Sequence, residues 1–285
     1  MQLLDNVTAL FPAPFRLLER FARDHEEFAD PGVVAFDREI HFYLRYLAVA
    51  ARVTGDGRAV TLPEVTAGFD RPYADAAFDL ALGLKCAADR KPLVCNDFRL
   101  DDAERILVVT GPNSGGKTTF ARTVGQLVYL AALGCPVPAT RARLPLPDRM
   151  FTHFERADTA ADRTGRLLRE LTAVRDTLAA ATADSMIVLN ESFASTTTAD
   201  GLRIGGAVLD RITALGAVAV FVTFFEGLGA HGSATVGMVA TVDPDDPARR
   251  TYRLHRSDGT GQAHAATLAQ RYGLTYDAVT ARVIG

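Results

Sequence analysis

Cysteine is scarce in this chain, and the three present, Cys86, Cys95 and Cys135, form an odd set without metal-ligand spacing. That argues against a disulfide-stapled secreted scaffold and a structural zinc site, and it predicts reduced thiols in a reducing compartment. No run approaches the roughly 18 uninterrupted apolar residues of a membrane helix. The N-terminus lacks a basic segment ahead of an apolar core, so no signal peptide is expected. Positive charge is not in excess either. The formal net charge is −3, which argues against a wholly basic nucleic-acid-binding surface while leaving room for a local patch. Internal repeats and low-complexity segments are missing as well. What is there is 285 residues, 48% hydrophobic and 23% charged, an ordinary soluble composition. That length suits one large domain, or one domain with a smaller appendage. A soluble, cytoplasmic protein is expected.

The richest stretch is Gly111-Pro112-Asn113-Ser114-Gly115-Gly116-Lys117-Thr118-Thr119, which fills every position of a phosphate-binding loop. Its surroundings fit. Ile106 to Thr110 is an apolar run rich in β-branched residues, as a buried strand should be. Thr119 to Leu133 follows with Phe120, Val124, Leu127 and Leu130 at helical spacing. A strand, a glycine turn and a helix start bring backbone N–H groups and a positive helix end onto one anion. Lys117 is then expected to reach the outer phosphates of a nucleoside triphosphate such as ATP, and the Thr118 hydroxyl to hold Mg²⁺.

Up to about Phe69 the pattern is mainly helical, with candidates at Phe15 to Phe28 and Phe36 to Thr54. Pro12, Pro14, Pro31 and Gly32 punctuate them, and Gly55-Asp56-Gly57 closes the second. Their aromatic stripe is read as packing rather than as a ligand surface. From about Phe78 strands and helices alternate. Strands are expected at Leu93 to Val94, Ile106 to Thr110, Met186 to Leu189 and Val218 to Thr223, which implies an α/β fold with a mainly parallel sheet covered on both faces. Met238 to Val242 and Arg250 to His255 read as further strands, and Ala265 to Val283 as a closing helical pair broken at Gly273. The division expected is a small helical segment at 1–69 and a larger domain at 70–285.

A phosphate loop needs a metal-holding and water-activating partner on a neighbouring strand. Met186-Ile187-Val188-Leu189 is that strand, and it runs into Asn190-Glu191. Asn190 occupies the metal-site position usually held by aspartate, and Glu191 is placed as general base for an attacking water. An amide brings no charge to Mg²⁺, so the hydrolysis rate stays open. The hydroxyl-rich Ser192 to Asp200 stretch reads either as a helix cap alone or as a cap that also contacts a phosphate from a facing subunit.

Taken in order, these segments resemble the ATPase domain of the MutS family of DNA mismatch-repair proteins, over roughly Phe78 to the C-terminus. The Pro112-Asn113 pair is far more specific than the generic loop. Val94-Cys95-Asn96-Asp97 is similar to the family's segment at the nucleotide edge, which puts Asn96 among the nucleotide-binding residues. Asp148-Arg149-Met150-Phe151-Thr152 resembles its following strand, Asp200-Gly201 the end of its hydroxyl-rich turn, and Leu268 to Val283 its dimer-supporting terminal helices. The resemblance implies a P-loop NTPase of the ABC/MutS type. It also implies ATP and Mg²⁺ as cofactors, a homodimer with composite nucleotide sites, and DNA as a partner to be considered.

Several positions depart from that pattern. Asn190 stands for the family's aspartate, Gly165-Arg166-Leu167 ahead of Glu170 for its trans-acting Ser-Thr-Phe, and Thr223-Phe224 for its Thr-His switch. This combination resembles a divergent bacterial MutS-related branch. Residues before 78 lack room for the wedge module that recognises mismatches, so mismatch recognition by this chain alone is not expected, and the first helices are read as a lever or core remnant. Two functions follow. One is a slow ATPase with Lys117, Thr118 and Glu191 in cis, and Gly165, Arg166 and the Ser195 to Thr198 turn in trans. The other is an ATP-binding scaffold with negligible hydrolysis that acts through protein contacts.

Overall fold

A computed structural model describes residues 2–26, 30–55, 58–154, 165–243, 246, 249–257 and 280 of the chain. Apart from Thr280, the helical pair expected over Ala265 to Val283 lies outside the described residues, as do Phe28 and Asp56-Gly57. The chain divides into two compact units, Met1–Val49 and Ala50–Gly285, so the expected boundary at 69/70 falls inside the second.

The described residues of the first unit form three helices: α1 (Gln2–Leu10), α2 (Pro12–Asp24) and α3 (Pro31–Ala51), the last running just past Val49. Pro12 and Pro31, expected to punctuate the helices, each stand at the first position of one. Proline at the first helical position loses no hydrogen bond and has its φ already set. Within the described residues α2 buries nothing, and Phe21, Phe36 and Phe42 are exposed. Tyr46 of α3 is buried, so the packing role expected for the aromatic stripe is seen there and not at these three rings.

Among the described residues the second unit contains two sheets. Its elements are β1 (Glu64–Thr66), β2 (Tyr73–Ala77), α4 (Leu80–Asp89), β3 (Asn96–Arg99), β4 (Ile106–Thr110), α5 (Lys117–Ala132), β5 (Arg141–Pro145), β6 (Met150–Phe154), α6 (Arg166–Ala180), β7 (Met186–Asn190), α7 (Thr198–Leu215), β8 (Val218–Val222), β9 (Thr235–Val242) and β10 (Arg250–Ser257). A 3₁₀ turn at Glu226–Ala230 follows β8. The larger sheet has the order β10-β9-β4-β8-β7-β6, parallel except for antiparallel β10. The expected mainly parallel α/β sheet is therefore present. The smaller sheet, β1-β5-β2-β3, has no counterpart in the sequence reading.

Alternation along the central strands builds the core. Leu107, Val109, Val188, Val220 and Val222 face one side, with Phe120, Val124 and Leu127 of α5 in the same apolar cluster as Ala74, Phe98 and Leu144 of the small sheet. Ile106, Val108, Ile187, Leu189 and Phe221 face the other, against Val174 of α6 and Leu209 and Ile212 of α7. Both faces of the sheet are thus covered, which is why these strands read as unbroken apolar runs. The strand expected at Leu93 to Val94 does not form. Those residues follow Pro92, which has no N–H to pair, and pairing begins only at Asn96.

Chain order places the site. From central β4 the chain crosses to edge strand β6 and steps inward through β7 and β8, and only then is β9 added on the other flank of β4. The order therefore reverses at β4, and a crevice opens at the carboxyl ends of the strands there.

α7 approaches the 3₁₀ turn closely enough that a Cβ on Gly201 would sit 2.0 Å from the Phe225 ring, whereas one on Gly125 of α5 would meet nothing nearer than 3.7 Å. Gly201→Ala should therefore cost about 2 kcal/mol, the overpacking penalty exceeding the gain in helix propensity. Gly125→Ala should be neutral or stabilising by up to about 1 kcal/mol. Urea midpoints of the two variants, at unchanged m-value, check the pair.

Candidate functional site

The crevice is a cavity of about 520 Å³ with two chemically different ends. One is formed by Ser114 to Thr119 with Glu191, the other by Phe78, Leu82, Cys86, Leu93 and Val94. A polar, amide-rich end and an apolar end suit a ligand with a charged tail and a flat apolar head.

The polar end begins where β4 runs out. Gly111 has φ 120°, and a Cβ there would fall 2.8 Å from the Ala240 carbonyl oxygen of β9. Glycine is required on both counts. Ser114 and Gly116 also take positive φ, and Gly116 caps α5 without any side-chain acceptor, leaving the first amides of the helix for a ligand. Lys117 is only 3% exposed, and its Nζ donates to the carbonyls of Gly111 at 2.9 Å and Pro112 at 3.1 Å. The ammonium also lies 4.7 Å from the centre of the Phe224 ring. Phe224 thus occupies the ground where the sequence pattern led one to look for an imidazole, and it meets the lysine by cation–π contact. Burial pushes the Lys117 pKa below its ordinary 10.5, partly opposed by the Glu191 carboxylate and reinforced by Arg250.

Glu191 is brought to the loop by the strand ends. The Thr223 amide donates to the Val109 carbonyl and the Glu191 amide to the Val222 carbonyl, each at 2.9 Å, stitching β4, β8 and β7 together past their last residues. Glu191 and Phe193 have φ of 56° and 67°, left-handed conformations that cost about 1 kcal/mol each or more. The Phe193 ring is fully buried, and its amide donates to Glu170 Oε2 at 2.7 Å. Glu170 Oε1 accepts from Arg166 Nε at 3.0 Å, so the arginine expected to act in trans is engaged on its own helix. Gly165 is exposed at the start of α6. In the hydroxyl-rich turn, Thr197 caps α7 by accepting from the Asp200 amide, so the cap is present.

Asn190 ends β7, 6% exposed, and its Oδ1 is buried with no hydrogen-bond partner. A buried acceptor left over beside Glu191 suits a donor that arrives with a ligand, such as a metal-bound water. Thr118 stands in the first turn of α5 and lines the cavity. Among the described residues no group of three or more His, Cys, Asp or Glu could by itself cage a metal. Mg²⁺ asks for little from protein, usually one or two side chains plus phosphate oxygens and waters, so Thr118 and Asn190 fit it.

Asn96 lines the cavity, yet its amide works on the protein itself. Nδ2 donates to the Tyr252 carbonyl at 3.0 Å and Oδ1 accepts from the Leu254 amide at 2.8 Å, holding the irregular middle of β10. Two neighbours escaped the sequence reading. Tyr252, at φ 58° in that irregularity, faces Gly116, and nothing local marks it. Asp79 is buried and accepts from the Leu82 amide, Arg122 Nε and Gln126 Nε2 at 2.7, 2.6 and 2.7 Å, which ties α4 to α5. Its position just before an apolar helical run was a legible N-cap signal.

Several arginines that could have formed a local basic patch meet carboxylates instead. Arg141 meets Asp75 at 2.6 Å, Arg143 meets Glu64 at 2.9 Å, and Arg256 meets Asp101 and Glu104. No helix among the described residues is long and apolar enough to cross a membrane.

Residues 107–247, which hold the loop, Glu191 and the sheet core, match the family model for MutS domain V. The chain is 29% identical over 251 residues to DNA mismatch repair protein MutS of an Exiguobacterium species, covering 83% of this chain and 30% of that protein. It is 41% identical over 138 residues to DNA mismatch repair protein MutS 2 of Halobacterium salinarum, covering 48% of this chain and 16% of that one. MutS of Brevibacillus brevis is 29% identical over 229 residues, 78% of this chain and 26% of its own length. The chain thus spans less than a third of each of these relatives. It belongs to the MutS family.

The buried lysine makes a pH prediction. A depressed pKa means that the unfolded chain holds a proton which the folded chain releases earlier, so stability should rise with pH between the lowered value and 10.5. Lys117→Met should flatten that rise. Denaturant midpoints measured at several alkaline pH values read it, with only Lys85 and Lys91 as other lysines to titrate.

Proposed function

We propose that this chain is a MutS-type P-loop ATPase that binds Mg–ATP, hydrolyses it slowly and pairs with a second copy across composite nucleotide sites. The observation that carries this reading is the cavity shared by Ser114 to Thr119 and Glu191, with the buried Lys117 ammonium already held by the Gly111 and Pro112 carbonyls. Phosphates would displace the Gly111 and Pro112 carbonyls as partners of Lys117 and take up the unused amides at the start of α5. The apolar end at Phe78, Leu82 and Val94 suits the base. Asn96 acts at that edge by holding Tyr252 over Gly116. Bound Mg²⁺ would neutralise charge building on the outer phosphates. Thr118 and Asn190 are the residues that would hold it. Glu191 is the general base, taking the proton from the attacking water while Lys117 steadies the developing charge.

On this reading residues 70–285 form the ATPase domain with a C-terminal helical pair, and residues 1–69 are a lever-like remnant. On the same reading the protein works in the cytoplasm, and its relatives bear the name of DNA mismatch repair proteins. Gly165, Arg166 and Ser195 to Thr198 contribute from the opposite subunit. A second reading has its own support. Asn190 brings no charge to the metal, and Phe224 rather than an imidazole covers Lys117. On that reading ATP closes the dimer, hydrolysis is negligible, and output is protein–protein contact.

Steady-state phosphate release separates the two. Glu191→Gln should lower kcat by about 100-fold or more while leaving ATP affinity within a few-fold, the usual scale for a lost general base. Lys117→Ala should abolish binding itself. Wild-type turnover equal to that of Glu191→Gln would establish the scaffold instead. Sizing with and without Mg–ATP should show the nucleotide-dependent dimer, and a single species under both conditions would remove the composite site. Coupling to DNA is the remaining element. Duplex titration at two salt concentrations should show affinity falling as salt rises, and a flat response would rule out backbone binding.

A further inference from the structure

We infer that Glu170 is a positioning residue. One carboxylate oxygen holds the left-handed turn that aims Glu191, and the other sets the direction of Arg166. The inference rests on the reading of Glu191 as general base. Glu170 is 7% exposed, so its charge has to be answered inside the protein. The answer comes from two places, the Phe193 amide at 2.7 Å and Arg166 Nε at 3.0 Å. The amide's need is equally strict. Phe193 lies beyond the end of β7 at φ 67°, where the sheet ladder no longer offers an acceptor, and its ring is fully buried. Ser192 alone separates it from Glu191, so Glu191 keeps its own φ of 56° only while Phe193 stays in place.

Glu170 reaches this turn from a different element. It stands on α6, whose first residues are Gly165 and Arg166. One buried carboxylate therefore joins the residue that activates water to the residue that would meet an anion outside its own subunit. An anion that draws Arg166 outward leaves Glu170 to Phe193 alone, and the turn responds to what α6 touches.

Two measurements on the full chain test this. Amide exchange by NMR, without nucleotide, reads the hold on Phe193, and steady-state phosphate release reads Glu191. Glu170→Ala should speed Phe193 amide exchange by about tenfold or more relative to Leu189. It should also lower kcat by about 10- to 100-fold with KM for ATP within about twofold, since a misplacement of about 1 Å is worth that much. Glu170→Gln keeps an acceptor for the Phe193 amide and should restore both, and it serves if the alanine variant does not fold. In a Glu191→Gln background, Glu170→Ala should lower turnover no further, because it acts through Glu191. Unchanged Phe193 protection in Glu170→Ala overturns the inference, as does a loss of turnover that persists at full size in the Glu191→Gln background. Protection lost in a chain whose wild type shows no Glu191-dependent turnover supports the hold on the turn and overturns the hydrolytic reading.

Discussion

A buried ammonium with nothing but its own chain to satisfy it is the constraint from which the site follows. Lys117 is 3% exposed, and an unpaired charge so deep would cost several kcal/mol. It is met by two loop carbonyls, the face of Phe224 and the field of Glu191. Those groups come from the ends of three strands, β4, β8 and β7. Only a parallel sheet in this order sets them side by side, and the bonds from Thr223 to Val109 and from Glu191 to Val222 keep them there. Sheet topology and the electrostatics of one lysine are the same problem seen at two scales.

The surroundings of the loop are fastened by side chains from distant parts of the chain. Asn96 of β3 clamps β10, Arg250 Nε of β10 donates to the Asn113 carbonyl at 3.1 Å, and Asp79 joins α4 to α5. On the far side Glu170 holds the turn beyond β7. Loop, turn and cavity wall are thereby set before any ligand arrives, which would spare the triphosphate of the proposed function the cost of ordering them. The departures from the usual MutS pattern leave this scaffold whole. On the proposed function, Asn190, Arg166 and Phe224 alter which groups would face a phosphate or metal, while the strand order and the bonds at the strand ends that frame the crevice stay in place.

Legibility in the sequence varied with how local the cause was. β4, β7 and β8 were readable to within a residue because strands buried on both faces must be apolar throughout. The glycine loop was readable because its conformation demands those residues at that spacing. The small sheet was not. Tyr73 to Ala77 and Arg141 to Pro145 carry Ala, Asp and Arg without a strand signature, and they become strands by pairing with each other across more than sixty residues of chain. Leu93 and Val94 misled in the opposite sense, since a short apolar run after Pro92 lines a cavity as readily as it fills a sheet.

Residue order alone was therefore enough for the membership in the MutS family, the loop, the strand before it and the identity of Glu191 as the neighbouring carboxylate, because each is written in contiguous residues with stiff local preferences. It could not supply the partners. That Asn96 holds a strand, that Phe224 covers Lys117 and that Glu170 grips the amide of Phe193 are contacts between segments far apart in the chain, chosen by which buried polar groups folding leaves without water. Hydrogen-bond satisfaction inside a packed core is a property of the assembled molecule, and only there could the roles of these residues be read.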